Sequence, residues 1–188
     1  MNKKEVQQRV LQFGEPLDLD KFEWCEVNKK FSTEEDNLIL DFKGVDGVTF
    51  KTGDWCTFEI AEHCEFETGD KCVFKTGRYC IFDTGNDCVF KTDGYCQFDT
   101  GVGGVFDTGG YCVFNTGDKC VFNTGSDCEF STGNDCVVVR RDVHEVIELM
   151  RGQRIRLKEC TIKGYEVIEK EKSIVLDGKK YKLTEIKE

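Results

Sequence analysis

The feature of this sequence that most limits its fold is an eight-residue repeat that spans residues 40–139. Its consensus is Cys-x-Phe-x-Thr-Gly-x-x, and residues 72–79 and 112–119 are two regular copies. With the irregular units at both ends included, the segment contains thirteen copies. A tandem repeat of this kind predicts a stack in which each unit packs mainly against its neighbours.

The chemistry of one unit predicts a short strand followed by a turn. Cys, Phe and Thr are two residues apart, so a strand would place all three on one face. The residue between Phe and Thr is polar in the regular units and should face water. We therefore expect Cys and Phe in the core and Thr at the end of the strand. The Thr-Gly-x-x segment is predicted to bend, with Gly as the residue that tolerates a positive φ.

A row of such strands predicts an all-β solenoid, because a solenoid buries its own core. A single unit is too short to enclose a Phe, so a coil needs two or three units. The tyrosines help to decide between these alternatives, since Tyr79, Tyr95 and Tyr111 recur at every second unit. A coil of two units would stack them about 4.8 Å apart. We favour the 16-residue coil, with about six coils in the repeat, and the 24-residue triangle stays open.

The segment before the repeat, residues 1–39, is predicted to be an N-terminal cap. It begins with a short amphipathic helix over residues 2–13, for which Asn2 is the candidate N-cap. An irregular polar segment follows. The expected apolar anchors of the cap are Val6, Val10, Phe13, Phe22, Trp24 and Phe31.

The segment after the repeat, residues 140–188, is predicted to be a small β-rich C-terminal capping domain. Residues 143–149 fit a strand or a helix, and alternation predicts a strand at Ile155 and Leu157. Residues 160–168 resemble a further strand. A hairpin with an Asp177-Gly178 turn completes the segment. Such a domain would cover the open sheet edges of a solenoid.

Twelve cysteines raise the question of disulfides or a metal site. Ten of them recur at one repeat position, as buried packing residues would. Their constant separation of eight residues does not match zinc-binding pairs. No secretory signal and no apolar run long enough to span a membrane is apparent. We interpret the cysteines as reduced thiols of a cytoplasmic protein with no cofactor, and disulfides remain the alternative.

The net charge of −10 is concentrated in the repeat. Residues 40–139 carry −10, whereas residues 1–39 carry −3 and residues 140–188 carry +3. Since like charges on one sheet face repel, stacked acidic rows suggest a binding surface for a basic partner. Two such rows are predicted for 16-residue coils, namely Glu67, Asp83 and Asp99 on a sheet face and Asp54, Asp70 and Asp118 along one edge.

The tyrosines predict a second contact surface, because aromatic side chains are enriched in protein interfaces. No motif of a hydrolase, a nucleotide-binding loop or a metalloprotease is present, so we expect a binding protein and not an enzyme. A solvated acidic face that serves only solubility is the simpler alternative.

Three parts of the sequence carry a resemblance to known proteins. They are residues 48–58, the tandem Cys-x-Phe-x-Thr-Gly units and residues 136–149. These parts resemble octapeptide-repeat proteins of phages, prophages and viral metagenomes. The resemblance implies a β-solenoid and a phage context, and it implies no particular activity.

Together these observations predict a phage-encoded inhibitor that acts in the host cytoplasm. Its partner would be a basic, nucleic-acid-handling enzyme, such as a CRISPR effector, a defence nuclease or a topoisomerase. The acidic rows would imitate the nucleic-acid backbone, so neither a nucleic acid nor a membrane is expected as a direct partner. The alternative is a structural protein, such as a virion fibre segment or a homo-oligomeric scaffold.

Overall fold

The computed structural model describes residues 1–150, 152–168, 173–176 and 179–182. The chain forms a β-solenoid of about seven turns with a short N-terminal helix, so the predicted fold class is confirmed. Two ten-stranded sheets enclose the core. From the C-terminal end, sheet A consists of β18 (Glu145–Leu149), β17 (Cys136–Arg140), β15 (Val121–Thr124), β13 (Val105–Asp107), β11 (Val89–Thr92), β9 (Val73–Thr76), β7 (Thr57–Ile60), β5 (Leu38–Phe42), β1 (Val10–Gln12) and β2 (Glu15–Pro16).

Sheet B faces sheet A across the core and is built in the same order. Its strands are β20 (Tyr165–Val167), β19 (Arg154–Leu157), β16 (Glu129–Ser131), β14 (Val113–Thr116), β12 (Gln97–Thr100), β10 (Ile81–Thr84), β8 (Glu65–Thr68), β6 (Thr49–Thr52), β4 (Lys30–Ser32) and β3 (Glu23–Cys25). The chain alternates between the sheets, so consecutive repeat units contribute strands to opposite sheets.

Each coil contains two repeat units, as the tyrosine spacing predicts. Phe82 of β10 lies in parallel register with Phe98 of β12, which is two units further along the chain. Phe90 of β11 is likewise in register with Phe74 of β9. The stack is longer than the predicted six coils because β4 and β5 already pair in parallel with β6 and β7.

The core is a double column of phenylalanine rings. Rings that are neighbours within one sheet lie face to face, as in the pair Phe82–Phe98 with centroids 4.9 Å apart. Rings from opposite sheets meet edge to face, as in the pair Phe82–Phe90 at 5.2 Å. Both arrangements suit the quadrupole of the aromatic ring, and they fix the register as well as filling the core.

The repeat cysteines are buried packing residues, as expected from their position. They form two columns in which backbone amides donate to the sulfur of the next coil, for example Cys56 N to Cys72 Sγ at 3.4 Å. Burial raises the pKa of the Cys120 thiol, since the charged thiolate would be desolvated. Gly104 interrupts one column, and the Phe106 ring occupies the space of the missing side chain.

The turns differ from the prediction in which residue adopts the left-handed conformation. The positive φ lies at the last turn position, where Lys71 has φ 57° and Tyr79 has φ 59°. The glycine that follows Thr is needed for a different reason. A Cβ on Gly85 would lie 2.0 Å from Asp70 Oδ1 of the preceding coil. The repeat glycine is therefore required by the close approach of successive turns.

The N-terminal cap contains less helix than predicted. The helix α1 covers only Lys3–Gln7, and Asn2 forms the expected capping box with Glu5. The predicted continuation to residue 13 is wrong, because β1 pairs with β5 and extends sheet A. Phe13 is consequently 84% exposed in the turn after β1.

The remaining predicted anchors of the N-terminal cap lie at the base of the solenoid. Val6, Val10, Phe22 and Phe31 are buried, and Trp24 packs against the core. The segment that was expected to be irregular also supplies β3, β4 and the start of β5.

The C-terminal cap continues the two sheets. Strand β18 pairs antiparallel with β17, and β19 pairs antiparallel with β16, so both sheet edges are covered. Residues 160–168 form only the short strand β20, and Cys160 is exposed in a turn.

A buried arginine, Arg140, connects the C-terminal cap to the last coil through hydrogen bonds and an ion pair. Arg140 replaces the repeat threonine and is fully buried. Its guanidinium binds the Asp142 carboxylate at 2.6 Å and donates to the carbonyl oxygens of Ile162 and Gly164. A buried charge that is paired and hydrogen-bonded in this way holds together the segments that it contacts.

The predicted C-terminal hairpin is present as β21 (Ser173–Leu176) and β22 (Lys179–Lys182), which pair antiparallel. Its predicted turn, Asp177-Gly178, lies outside the described residues.

Candidate protein-binding surface

The first predicted acidic row lies on the outer face of sheet B. Asp83 of β10 is in register with Glu67 of β8 on one side and with Asp99 of β12 on the other. All three side chains point to solvent, because the neighbouring phenylalanines fill the inner face of the same strands. The two-unit coil therefore places three carboxylates on successive strands, about 4.8 Å apart.

Neighbouring side chains bind both ends of this row, and one of them carries a positive charge. Lys51 precedes the row and forms an ion pair with Glu67 at 2.6 Å. Asn115 follows it and donates from Nδ2 to Asp99 Oδ1 at 3.1 Å. Among the described residues no ion pair forms with Asp83. The middle of the row is thus the place where negative charge is least compensated.

The second predicted row lies in the turns that lead from sheet B to sheet A, which we call the aspartate edge. Its turns are residues 53–55, 69–71, 85–87, 101–103, 117–119 and 133–135. Here the Asp and Asn side chains at the middle position accept hydrogen bonds from the next coil. Asp54 Oδ1 accepts from Asp70 N at 2.9 Å, and Asp70 Oδ1 accepts from Asn86 N at 2.7 Å. Asp118 Oδ1 accepts from Asn134 N at 2.6 Å.

These bonds give the aspartate edge a structural role that sequence reasoning missed. Each carboxylate satisfies a turn amide that would otherwise lack a partner, and this stabilises the stack. The presence of Asp or Asn at five of the six middle turn positions was the available signal, since both side chains supply the same acceptor oxygen.

The two rows adjoin each other along the chain in two coils, although Asn86 and Val102 separate Asp70 from Asp118 on the aspartate edge. Asp83 lies near the end of β10, and Asn86 of the aspartate edge follows three residues later. The same spacing connects Glu67 with Asp70. We call this surface the acidic strip, and its residues are Glu67, Asp83, Asp99, Asp54, Asp70 and Asp118.

The tyrosines occupy the opposite side of the solenoid, in the turns from sheet A to sheet B. On this tyrosine edge the ring of Tyr95 stacks on Tyr79 and on Tyr111, with centroids 5.2 and 4.9 Å apart. His63 extends the stack by one ring, at 4.9 Å from Tyr79. The stack presents ring edges to solvent, and the tyrosines remain about half exposed. The nearby Asp127 carboxylate raises the pKa of Tyr111.

A groove of about 480 Å³ lies beside this stack. Gly94 and Gly110 form its floor, because these two turns lack a side chain at their middle position. Arg78 and Asp142 are among its lining residues. The departure of residues 93–94 from the repeat pattern therefore marks a depression of the surface.

The acidic strip and the tyrosine edge are thus separate surfaces, and the structure does not bring them into one site. In the described part of the chain, no three His, Cys, Asp or Glu side chains are arranged to hold a metal ion. Among the same residues there is no helix with the length and hydropathy of a membrane span.

Comparisons of the chain with protein-family models, with curated proteins and with solved structures give no match. Function is therefore inferred from the geometry and charge of these surfaces.

Proposed function

We propose that the chain is a non-enzymatic binding protein whose acidic strip engages a basic, nucleic-acid-handling enzyme. The observation that carries the proposal is the register of Glu67, Asp83 and Asp99 on adjacent strands of sheet B. Like charges in register lower stability, so their presence at the centre of a rigid sheet favours a role in binding. The net charge of the whole chain, −10, acts in the same direction by steering a basic partner towards it.

The physical basis of recognition would be imitation of the nucleic-acid backbone. A cleft that binds nucleic acid is lined with Lys and Arg, and these side chains pair equally well with carboxylates. The strand spacing of about 4.8 Å differs from the phosphate rise of about 3.4 Å per strand. The strip would therefore match the overall charge of a duplex and not each individual phosphate.

The resemblance to phage and prophage octapeptide-repeat proteins suggests only a phage context, and the acidic strip in that context leads us to propose an inhibitor of a host defence or DNA-topology enzyme. A CRISPR effector, a defence nuclease and a topoisomerase all have the required basic cleft. We place the protein in the host cytoplasm, where its buried thiols would remain reduced. The tyrosine edge would supply a second contact to the same protein partner.

A structural role, such as a virion scaffold, is the second candidate. End-to-end stacking into a fibre has little support, because antiparallel strands cover both ends of the parallel coils. A homo-oligomeric scaffold would need lateral association through a sheet face instead.

The test of the proposed function is affinity capture from a bacterial lysate at about 50 mM and about 500 mM salt. We expect one or more basic nucleic-acid enzymes to bind at low salt and to be released at high salt. The variant E67Q/D83N/D99N removes three charges from the strip and should lose these enzymes.

The matched control is E15Q/D18N/D20N, which removes three exposed charges from the N-terminal cap, outside both the acidic strip and the tyrosine edge. It should retain the captured enzymes, because the strip is intact. Equal capture by both variants would contradict a specific role of the strip, and equal loss would indicate that only total charge matters.

A further inference from the structure

The outer face of sheet A carries an uninterrupted apolar row. Val73, Val89, Val105 and Val121 are aligned on four successive strands, and each is between 41% and 45% exposed. Val137 continues the row on β17 but is partly buried. Sequence reasoning assigned no role to this row. We name these four residues the valine row.

Sheet B provides an internal comparison. Its equivalent positions hold Glu65, Ile81, Gln97, Val113 and Glu129, so polar and apolar side chains alternate. Both sheets have the same strand geometry, and β-propensity would favour valine equally on both. The continuous row on sheet A alone therefore points to a contact surface, since exposed contiguous apolar patches usually mark one.

A row of polar side chains, of which four are charged, runs parallel to the valine row, two residues further along each strand. In stacking order it reads Glu59, Lys75, Lys91, Asp107 and Asn123. Lys75 lies 3.6 Å from Glu59, and Asp107 Oδ1 is paired with Arg141 at 2.6 Å. Among the described residues Lys91 has no ion pair, although it is exposed beside Lys75.

The sign of the charge changes at the centre of the valine row. Lys91 is on the same strand as Val89, and Asp107 is on the same strand as Val105. A two-fold axis that runs parallel to the strands between β11 and β13 would place two sheet A faces against each other. Val89 would then face Val105 of the second copy, and Val73 would face Val121. The same operation places Lys91 of each copy opposite Asp107 of the other copy, so the dimer would contain two such pairs.

We infer that sheet A is a self-association surface on which a second copy of this chain packs with its coil stack antiparallel, so that Lys91 pairs with Asp107 across the two-fold axis. One operation matches the four exposed valines of the two copies and brings Lys91 to the Asp107 carboxylate, which would be shared with Arg141. An isologous contact of this type closes on itself and gives a dimer.

The size of the surface predicts a weak dimer. Six coils at about 4.8 Å and strands of about four residues at about 3.3 Å give a face of roughly 30 by 13 Å. A dimer would then bury on the order of 800 Å² in total, which is below the standard size of a stable interface. We therefore expect a concentration-dependent equilibrium with a dissociation constant of about 10 μM to 1 mM.

This inference does not depend on the proposed function, because the acidic strip lies on sheet B and the aspartate edge. Packing through sheet A would leave the acidic strip of each copy exposed. A dimer would present two binding surfaces, which increases the avidity for a partner with two basic clefts.

The experiment is sedimentation velocity of the full chain from about 10 μM to about 1 mM, at physiological ionic strength. The wild type should shift from monomer to dimer. V89T/V105T keeps two β-branched side chains and should remain monomeric. Its control, I81T/V113T, makes the same change on sheet B and should associate like the wild type.

Exchanging the two charged residues, Lys91 and Asp107, tests whether they pair across the two-fold axis. K91D and D107K should each weaken association at least tenfold. K91D/D107K should associate more strongly than either single variant, because the exchanged charges meet again across the two-fold axis, and recovery is partial because D107K also removes the ion pair with Arg141. A wild type that stays monomeric up to about 1 mM would overturn the inference. Association that is unchanged in V89T/V105T, or a double exchange as weak as the single variants, would also overturn it.

Discussion

The two acidic rows are predicted to respond differently to neutralisation, although they belong to one surface. Asp70 accepts from Asn86 N at 2.7 Å and from Asn86 Nδ2 at 3.3 Å. D70A would leave the turn amide without its charged acceptor, and such a loss costs about 1–3 kcal/mol of unfolding free energy. D70N retains an acceptor oxygen and should cost less than about 1 kcal/mol.

Asp83 accepts no comparable bond from the described residues, and it lies between the carboxylates of Glu67 and Asp99. D83N should therefore leave stability unchanged or raise it by about 0.2–1 kcal/mol at low salt, since it relieves cross-strand repulsion. Salt should diminish this gain, because the groups are exposed.

Urea unfolding of the wild type, D70A, D70N and D83N at low and high salt measures these differences as shifts of the midpoint at constant slope. The reasoning would be refuted if D70A and D83N changed stability equally. It would also be refuted if D70N were as destabilising as D70A, because the acceptor oxygen would then be irrelevant.

Three further predictions concern the core, the irregular unit and the C-terminal cap. A thiol reagent should modify only Cys25 and Cys160 in the native protein, since the other ten thiols are buried. Rapid modification of more than two thiols without unfolding would contradict this packing. G104C should destabilise the protein by about 1–3 kcal/mol, because a new Cβ would lie 2.7 Å from the Phe106 ring. A thermal midpoint equal to that of the wild type would show that the ring moves aside freely. R140A should cost about 3–5 kcal/mol, because it leaves the largely buried Asp142 carboxylate without its partner. Hydrogen exchange that accelerates only in β18–β20 would be the expected signature, and uniform acceleration would contradict a local role.

The coil could be predicted because the repeat is regular. Inward Cys and Phe, outward charges and tyrosines in every second unit each depend on the period of a strand or on the periodicity of the sequence. The same regularity placed Glu67, Asp83 and Asp99 in one row.

The predictions that were wrong concern the role of the repeat glycine and the length of the N-terminal helix. Both depend on contacts between coils, which the sequence does not show directly. Gly85 is required by the side chain of Asp70 from the previous coil, so its role could not be deduced from one turn alone. The N-terminal segment has helical periodicity, yet Val10 and Leu11 pair with β5 because an open sheet edge offers more hydrogen bonds than a short helix. In this segment, strand pairing with β5 outweighed the local preference for a helix.

The capacity of Asp54 and Asp70 to bind a partner also depends on context. Their inner oxygens are occupied by turn amides, so only part of each carboxylate is available to another protein. Asp83 accepts no such bond within the described part of the chain, which makes the sheet row the more effective half of the acidic strip.

The central claim is that the acidic strip occupies the nucleic-acid site of its partner. The most direct measurement is an equilibrium competition, in which the captured enzyme is mixed with labelled duplex DNA and increasing amounts of this protein. The account predicts mutually exclusive binding, with DNA displaced by the wild type and by E15Q/D18N/D20N but not by E67Q/D83N/D99N. A ternary complex that contains the enzyme, the DNA and this protein together would contradict it.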